Sequence, residues 1–93
     1  MAVYVDKMRG CTPRRGWPWS ESCHMFADTV EELHAMARKL ALKRNWFQWS
    51  PGKLPHYDLT SGKRWQALRQ GAMTASDAML MHHVRKWRER SAG

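Results

Sequence analysis

The stretch Thr29-Val30-Glu31-Glu32-Leu33-His34-Ala35-Met36-Ala37-Arg38-Lys39-Leu40 decides the fold of this chain. Thr29 followed three residues later by Glu32 is a capping box, in which each side chain satisfies an orphan backbone donor of the other residue. Leu33, Met36, Ala37 and Leu40 recur at helical spacing. Arg38, Lys39 and Lys43 take the outer face near the C-terminus, where cations suit the helix dipole. The pattern predicts a helix over Val30 to Leu42 with one buried stripe.

Upstream, Ala2 to Val5 is rich in β-formers and stops at Asp6, while Cys23 to Ala27 is a second short apolar run ending in Asp28. The two are predicted to pair as strands. Between them, residues 10–22 hold Pro13, Pro18, two glycines and Arg14-Arg15, which predicts a loop insertion without regular structure. Trp17-Pro18-Trp19 must fold back onto the core or stay exposed as a contact surface, and folding back is the expectation.

Downstream, Trp46 to Trp49 reads as a short strand, Ser50 to Pro55 as a turn and His56 to Leu59 as another strand. Thr60 or Ser61 then caps a helix that places Trp65, Leu68 and Ala72 on one face and stops at Gly71. A brief strand is predicted at Ala72 to Thr74. Ser76 caps a last helix over residues 76–90, with Leu80, Val84 and Trp87 as its apolar stripe and His82, Arg85, Lys86, Arg88 and Arg90 in solvent. Ninety-three residues allow one domain. The expected fold is a single α+β domain, a small mixed sheet packed by two helices, plus a C-terminal helix.

With 43% hydrophobic residues and six tryptophans the chain can offset its ordering entropy, which excludes a disordered protein. Sixteen Lys and Arg against eight Asp and Glu leave a net charge of +8 and a pI near 10.2. A nucleic acid or another phosphate-rich ligand is the partner this charge implies. Cys11 and Cys23 are too few for a disulfide framework and read as reduced thiols in the cytoplasm. No window approaches the ~20 apolar residues of a membrane span, and the start lacks the features of a signal peptide.

The candidate catalytic groups are Asp6, His24, Asp28, His34, His56 and Asp58. Imidazoles and carboxylates make up many zinc and iron sites, yet no His-x-x-x-His, Cys-x-x-Cys or His-Glu-x-x-His spacing occurs. Spacing alone therefore predicts no metal and no cofactor. Cys23 and His24 face opposite sides of a strand, which excludes a nucleophile-base pair, whereas Asp6 and Asp28 end neighbouring strands and could form a carboxylate pair. Phosphate-loop and dinucleotide glycine fingerprints are absent. Ser61-Gly62-Lys63-Arg64 opens a helix, so free N–H groups, the dipole and two cations coincide there.

Val3-Tyr4-Val5-Asp6, Cys23-His24-Met25, Ala27-Asp28-Thr29, Glu32 to Ala37, Trp46-Phe47-Gln48, Pro55-His56-Tyr57-Asp58, Lys63-Arg64 and Gly71-Ala72 occur in an order that resembles domain of unknown function 4031, a family of bacteria and their phages. The resemblance spans about Val3 to Ala72. It implies a short mixed α/β domain with polar positions at Asp6, His24, Asp28, His34, His56, Tyr57 and Asp58. The chain departs from the family in the longer segment from Gly10 to Ser22, in Lys7 where an acidic residue is usual, and in the helix after Met73. Three functions follow as expectations. The first is a non-catalytic protein that binds nucleic acid through Lys63, Arg64, Arg85, Lys86 and Arg88 with Trp17, Trp19, Trp49 and Tyr57. The others are a small His/Asp hydrolase or phosphodiesterase, and a phage inhibitor of a host protein.

Overall fold

A computed structural model describes residues 2–92, with the side chains of residues 91 and 92 left aside. The chain runs β1 (Val3–Val5), β2 (Arg9–Gly10), β3 (Glu21–Ala27), α1 (Val30–Lys39), a 3-10 turn (Arg44–Trp46), β4 (Tyr57–Leu59), α2 (Ser61–Arg69), β5 (Met73–Thr74) and α3 (Asp77–Ala92). The seven-residue β3 is the spine of the sheet. Met25 pairs with Val5 of β1 and with Tyr57 of β4, so these strands flank β3 on opposite edges, both antiparallel. β5 joins β1 in parallel, which makes the sheet mixed.

β1 and β2 are two halves of one interrupted strand. Val5 lies opposite Met25 and Arg9 opposite Ser22, so three residues on one side face two on the other, a β-bulge at Asp6-Lys7-Met8. The segment expected to be a structureless loop is thus a hairpin: Cys11 N–H donates to the Ser20 carbonyl, and Arg14 and Trp17 exchange backbone hydrogen bonds at its tip. Trp17 donates its indole N–H to Glu21 O rather than entering the core, and Trp19 is 49% exposed. Neither ring folds back.

Strand alternation gives the sheet two unlike faces. Val3, Val5, Cys23, Met25, Tyr57 and Leu59 point to one side, where Leu33, Met36, Ala37 and Leu40 of α1 and Ala67 of α2 cover them. Thr29 caps α1 as expected, accepting from Glu32 N–H at 3.2 Å, although its hydroxyl donates to the Glu32 carboxylate at 2.8 Å in place of the reciprocal backbone bond. The helix ends earlier than the periodicity implies, because Leu40 caps it and Ala41 turns left-handed at φ 58°. Thr60, not Ser61, caps α2, and Gly71 at φ 104° stops it. Trp65 is 59% exposed beneath the Arg69 guanidinium, a correction to its expected inward face. The run from Trp46 to Trp49 is no strand; only Gln48 bridges to His56.

The second face carries Tyr4 and Phe26, and α3 covers them through Leu80, Val84 and Trp87. His83 of α3 is buried against both rings and faces Asp28 Oδ1 at 3.3 Å. Ser76 accepts from Met79 N–H at the start of α3, as expected. This helix spans only one half of the face. The other half lies open.

Candidate functional site

The half not covered by α3 carries His24 from β3, Asp58 from β4 and His56 just before β4, with Asp6 of the bulge buried behind His24. Register brings them together: His24 pairs with Asp58 across β3 and β4, and Asp6 N–H donates to His24 O. Asp6 is fully buried. Its Oδ1 accepts from the His24 backbone N–H at 2.6 Å and its Oδ2 lies 2.9 Å from His24 Nδ1. Burial opposes ionisation of Asp6, but the hydrogen bonds from the His24 ring and backbone, with the charge of Arg9, hold its carboxyl below the ordinary range. The bond to this carboxylate raises the His24 imidazole above its usual value, against the effect of burial.

His56 Nδ1–H donates to the Leu54 carbonyl at 2.9 Å, which turns Nε2 toward Asp58 Oδ1 at 3.6 Å. Asp58 Oδ2 accepts from Gln48 Nε2 at 2.6 Å and lies 3.8 Å from the Arg14 guanidinium at the hairpin tip. The His24 and His56 rings stand edge to face, 5.1 Å between centroids. One ligand atom from each of His24, His56 and Asp58 falls within 4.8 Å of the other two.

Two hollows meet at this cluster. One, of about 460 Å³, has Arg14, Arg15, Trp17, Trp19, Trp46 and Lys63 among its walls, with Asp58 at its edge. The other, of about 410 Å³, runs from His24 and His56 past Trp49 and Lys53 to Arg88 of α3. Gln48 lines both hollows and forms the partition between them, with Asp58 beside it on the side of the first.

Other residues singled out from the sequence lie elsewhere. His34 belongs to α1, which covers the opposite face of the sheet, and is buried there with Nδ1 2.8 Å from the Tyr57 hydroxyl. Burial, together with the positive charges of Arg44 and Arg38, lowers its pKa. Tyr57 is likewise core and offers no ring to a ligand. Asp28 ends β3 beside Ala2, far along the strand pair from Asp6, so the expected pair of carboxylates does not form. Arg64 donates Nε–H to the Asp6 carbonyl at 2.8 Å and Lys63 donates to the Leu40 carbonyl at 2.6 Å; both brace the backbone around the site. Arg85 and Lys86 sit on α3 beside Arg88, away from the partition. Arg14, Arg15, Gln48 and Trp46 were not foreseen. Shared parity was the available signal: His24 alternates with core residues Cys23 and Met25, and His56 and Asp58 flank core Tyr57, so all three must point to the opposite side.

The molecule is thus a small α+β domain with two partly buried histidines and a partly buried carboxylate gathered on one half-face of its sheet, over the fully buried Asp6. The chain matches the model of the family described as Protein of unknown function (DUF4031) over residues 3–87, and it belongs to that family. The match continues past Ala72 and takes in most of α3. Neither a curated protein nor a solved structure matches the chain. Among the described residues no helix is long and apolar enough to cross a membrane.

Proposed function

We propose that the protein binds single-stranded nucleic acid along the groove between the hairpin tip and the Arg44–Trp46 turn. The observation that carries this reading is the composition of that groove, where Arg14, Arg15 and Lys63 share the walls of about 460 Å³ with Trp17, Trp19 and Trp46. Trp19, packed edge to face on Trp17, and Trp46, with the Lys43 ammonium over its ring, are each 49% exposed, which leaves ring surface for unstacked bases while the cations meet phosphates. The net charge of +8 supplies long-range attraction to the same partner. Trp49 and Arg88 in the adjoining hollow extend the path.

Titration of a mixed-sequence oligonucleotide, followed by tryptophan fluorescence at several salt concentrations, tests the proposal. Three phosphate contacts on a single strand give a log-log salt slope of about −2. Trp19→Ala should weaken binding by roughly 1–3 kcal/mol through lost stacking. Absence of binding at low salt would overturn the reading. A second reading, a small hydrolase of phosphate esters, is favoured by one specific observation: Asp58 lines the groove and lies 3.6 Å from His56 of the adjoining hollow. Turnover of a chromogenic phosphodiester that disappears in His24→Ala is its test.

A further inference from the structure

The geometry points to a binding site for one first-row divalent transition ion, held by His24, His56 and Asp58, which the spacing of these residues in the sequence did not suggest. The inference stands apart from nucleic-acid binding and is tested without it.

The donor set fits this class of ion. Two imidazoles and one carboxylate suit zinc, iron(II) or manganese and disfavour magnesium and calcium, which take oxygen ligands. Bonds of about 2.0–2.2 Å require ligand atoms roughly 3.3 Å apart in a tetrahedron. The three donors already lie within 4.8 Å of one another, so side-chain rotations of about an ångström complete the set. Three protein ligands leave at least one position open, the arrangement of a site that accepts water or a substrate oxygen rather than a closed structural site.

Independent support comes from what lies behind each donor. Metal-ligating histidines almost always give their other ring N–H to a carboxylate or a carbonyl, which fixes the tautomer and aims the lone pair. Both histidines do so here, His24 through Nδ1 to the fully buried Asp6 at 2.9 Å and His56 through Nδ1 to Leu54 O at 2.9 Å. Asp58 is held by Gln48 Nε2 at 2.6 Å. A lone surface histidine needs no buried carboxylate behind it. The bulge at Asp6-Lys7-Met8 is what turns Asp6 under His24.

The experiment is cobalt(II) and zinc(II) titration of the chelator-treated full chain, by absorption and calorimetry, with magnesium as the comparison. One cobalt or zinc ion per chain is expected, and no competition from magnesium. His24→Ala and His56→Ala should each lower affinity by at least roughly 100-fold, while His82→Ala, on the exposed side of α3, leaves it unchanged. Asp6→Asn keeps an acceptor for the His24 backbone N–H but presents an amide to Nδ1, so its loss should be roughly 10- to 100-fold. In wild type, zinc should shift the NMR signals of the His24 and His56 rings and leave His34 unmoved, a readout that needs no variant to fold. Stoichiometry near zero, or binding that survives loss of both His24 and His56, would overturn the site.

Discussion

Tyr57→Phe gives the sharpest test of the packing beneath the site. The Tyr57 hydroxyl and His34 Nδ1 meet at 2.8 Å in the core, and His34 Nε2 has no partner among the described residues. If Tyr57 donates, one ring N–H is left unpaired; if His34 donates, both Nε2 and the tyrosine proton are. The first arrangement strands fewer groups, so Tyr57 is the donor. Removing its oxygen then leaves both ring nitrogens of His34 buried and unsatisfied, at a cost of about 1–3 kcal/mol. In a domain of this size each kcal/mol lowers Tm by about 4–8 °C. His34→Leu alone strands the hydroxyl at a similar cost, whereas the double variant removes both partners and should be less destabilised than the sum by about 1 kcal/mol or more. Urea titration of the four proteins of the cycle measures this. Strict additivity, or a Tyr57→Phe effect below about 0.5 kcal/mol, would show that the pair is not hydrogen-bonded in a dry core.

Leu33 is 1% exposed in the main core, and Leu33→Ala should cost about 2–5 kcal/mol by denaturant titration; under about 1 kcal/mol would mean that α1 is in another rotational phase. Burial, reinforced by the charge of Asp6, pushes the Cys23 thiol up to about 12, so a thiol reagent at pH 8 should modify only Cys11 in the native protein and both cysteines in denaturant. Burial opposes ionisation of Asp28, yet bonds from His83, the Tyr4 hydroxyl and the Ala2 N–H hold its carboxyl below 3.8. A depressed carboxylate contributes stability above its unfolded value that is lost as pH falls through the folded one. Asp28→Asn should therefore lower Tm at neutral pH and flatten the decline below about pH 4, and an unchanged acid limb would contradict the assignment.

The elements whose signals are local were legible in the sequence. Thr29, Glu32 and the Leu33-Met36-Leu40 stripe define α1, and Ser76 and Gly71 mark real helix ends. Trp65 misled because α2 has few apolar residues, so its phase is set by which small side chain, Ala67, fits against the sheet. The pairing of β2 with Glu21 and Ser22 carries no hydrophobic pattern, since no side chain is core there and backbone bonds, the Trp17 indole on Glu21 O and the Arg9–Asp77 contact hold it. The site was legible as a set of residue types but not as a group. His24 and Asp58 meet through the β3–β4 register, and His83 meets Asp28 across 55 residues; neither distance is written in local spacing.

The two faces of β3 also predict how this protein can change over time. Along Cys23 to Asp28, residues at odd positions support the helices, while at even positions only Phe26 is core and its neighbours His24 and Asp28 carry ionisable groups. Tolerance to substitution should therefore be lowest at Cys23, Met25, Phe26 and Ala27, while at His24 it is limited by the buried Asp6 carboxylate that its ring satisfies. A lineage could rebuild the chemistry of this half-face by exchanging His56 or Asp58 without renegotiating Tyr57, the core residue between them. Sequence turnover in this domain would then run at two tempos along a single strand.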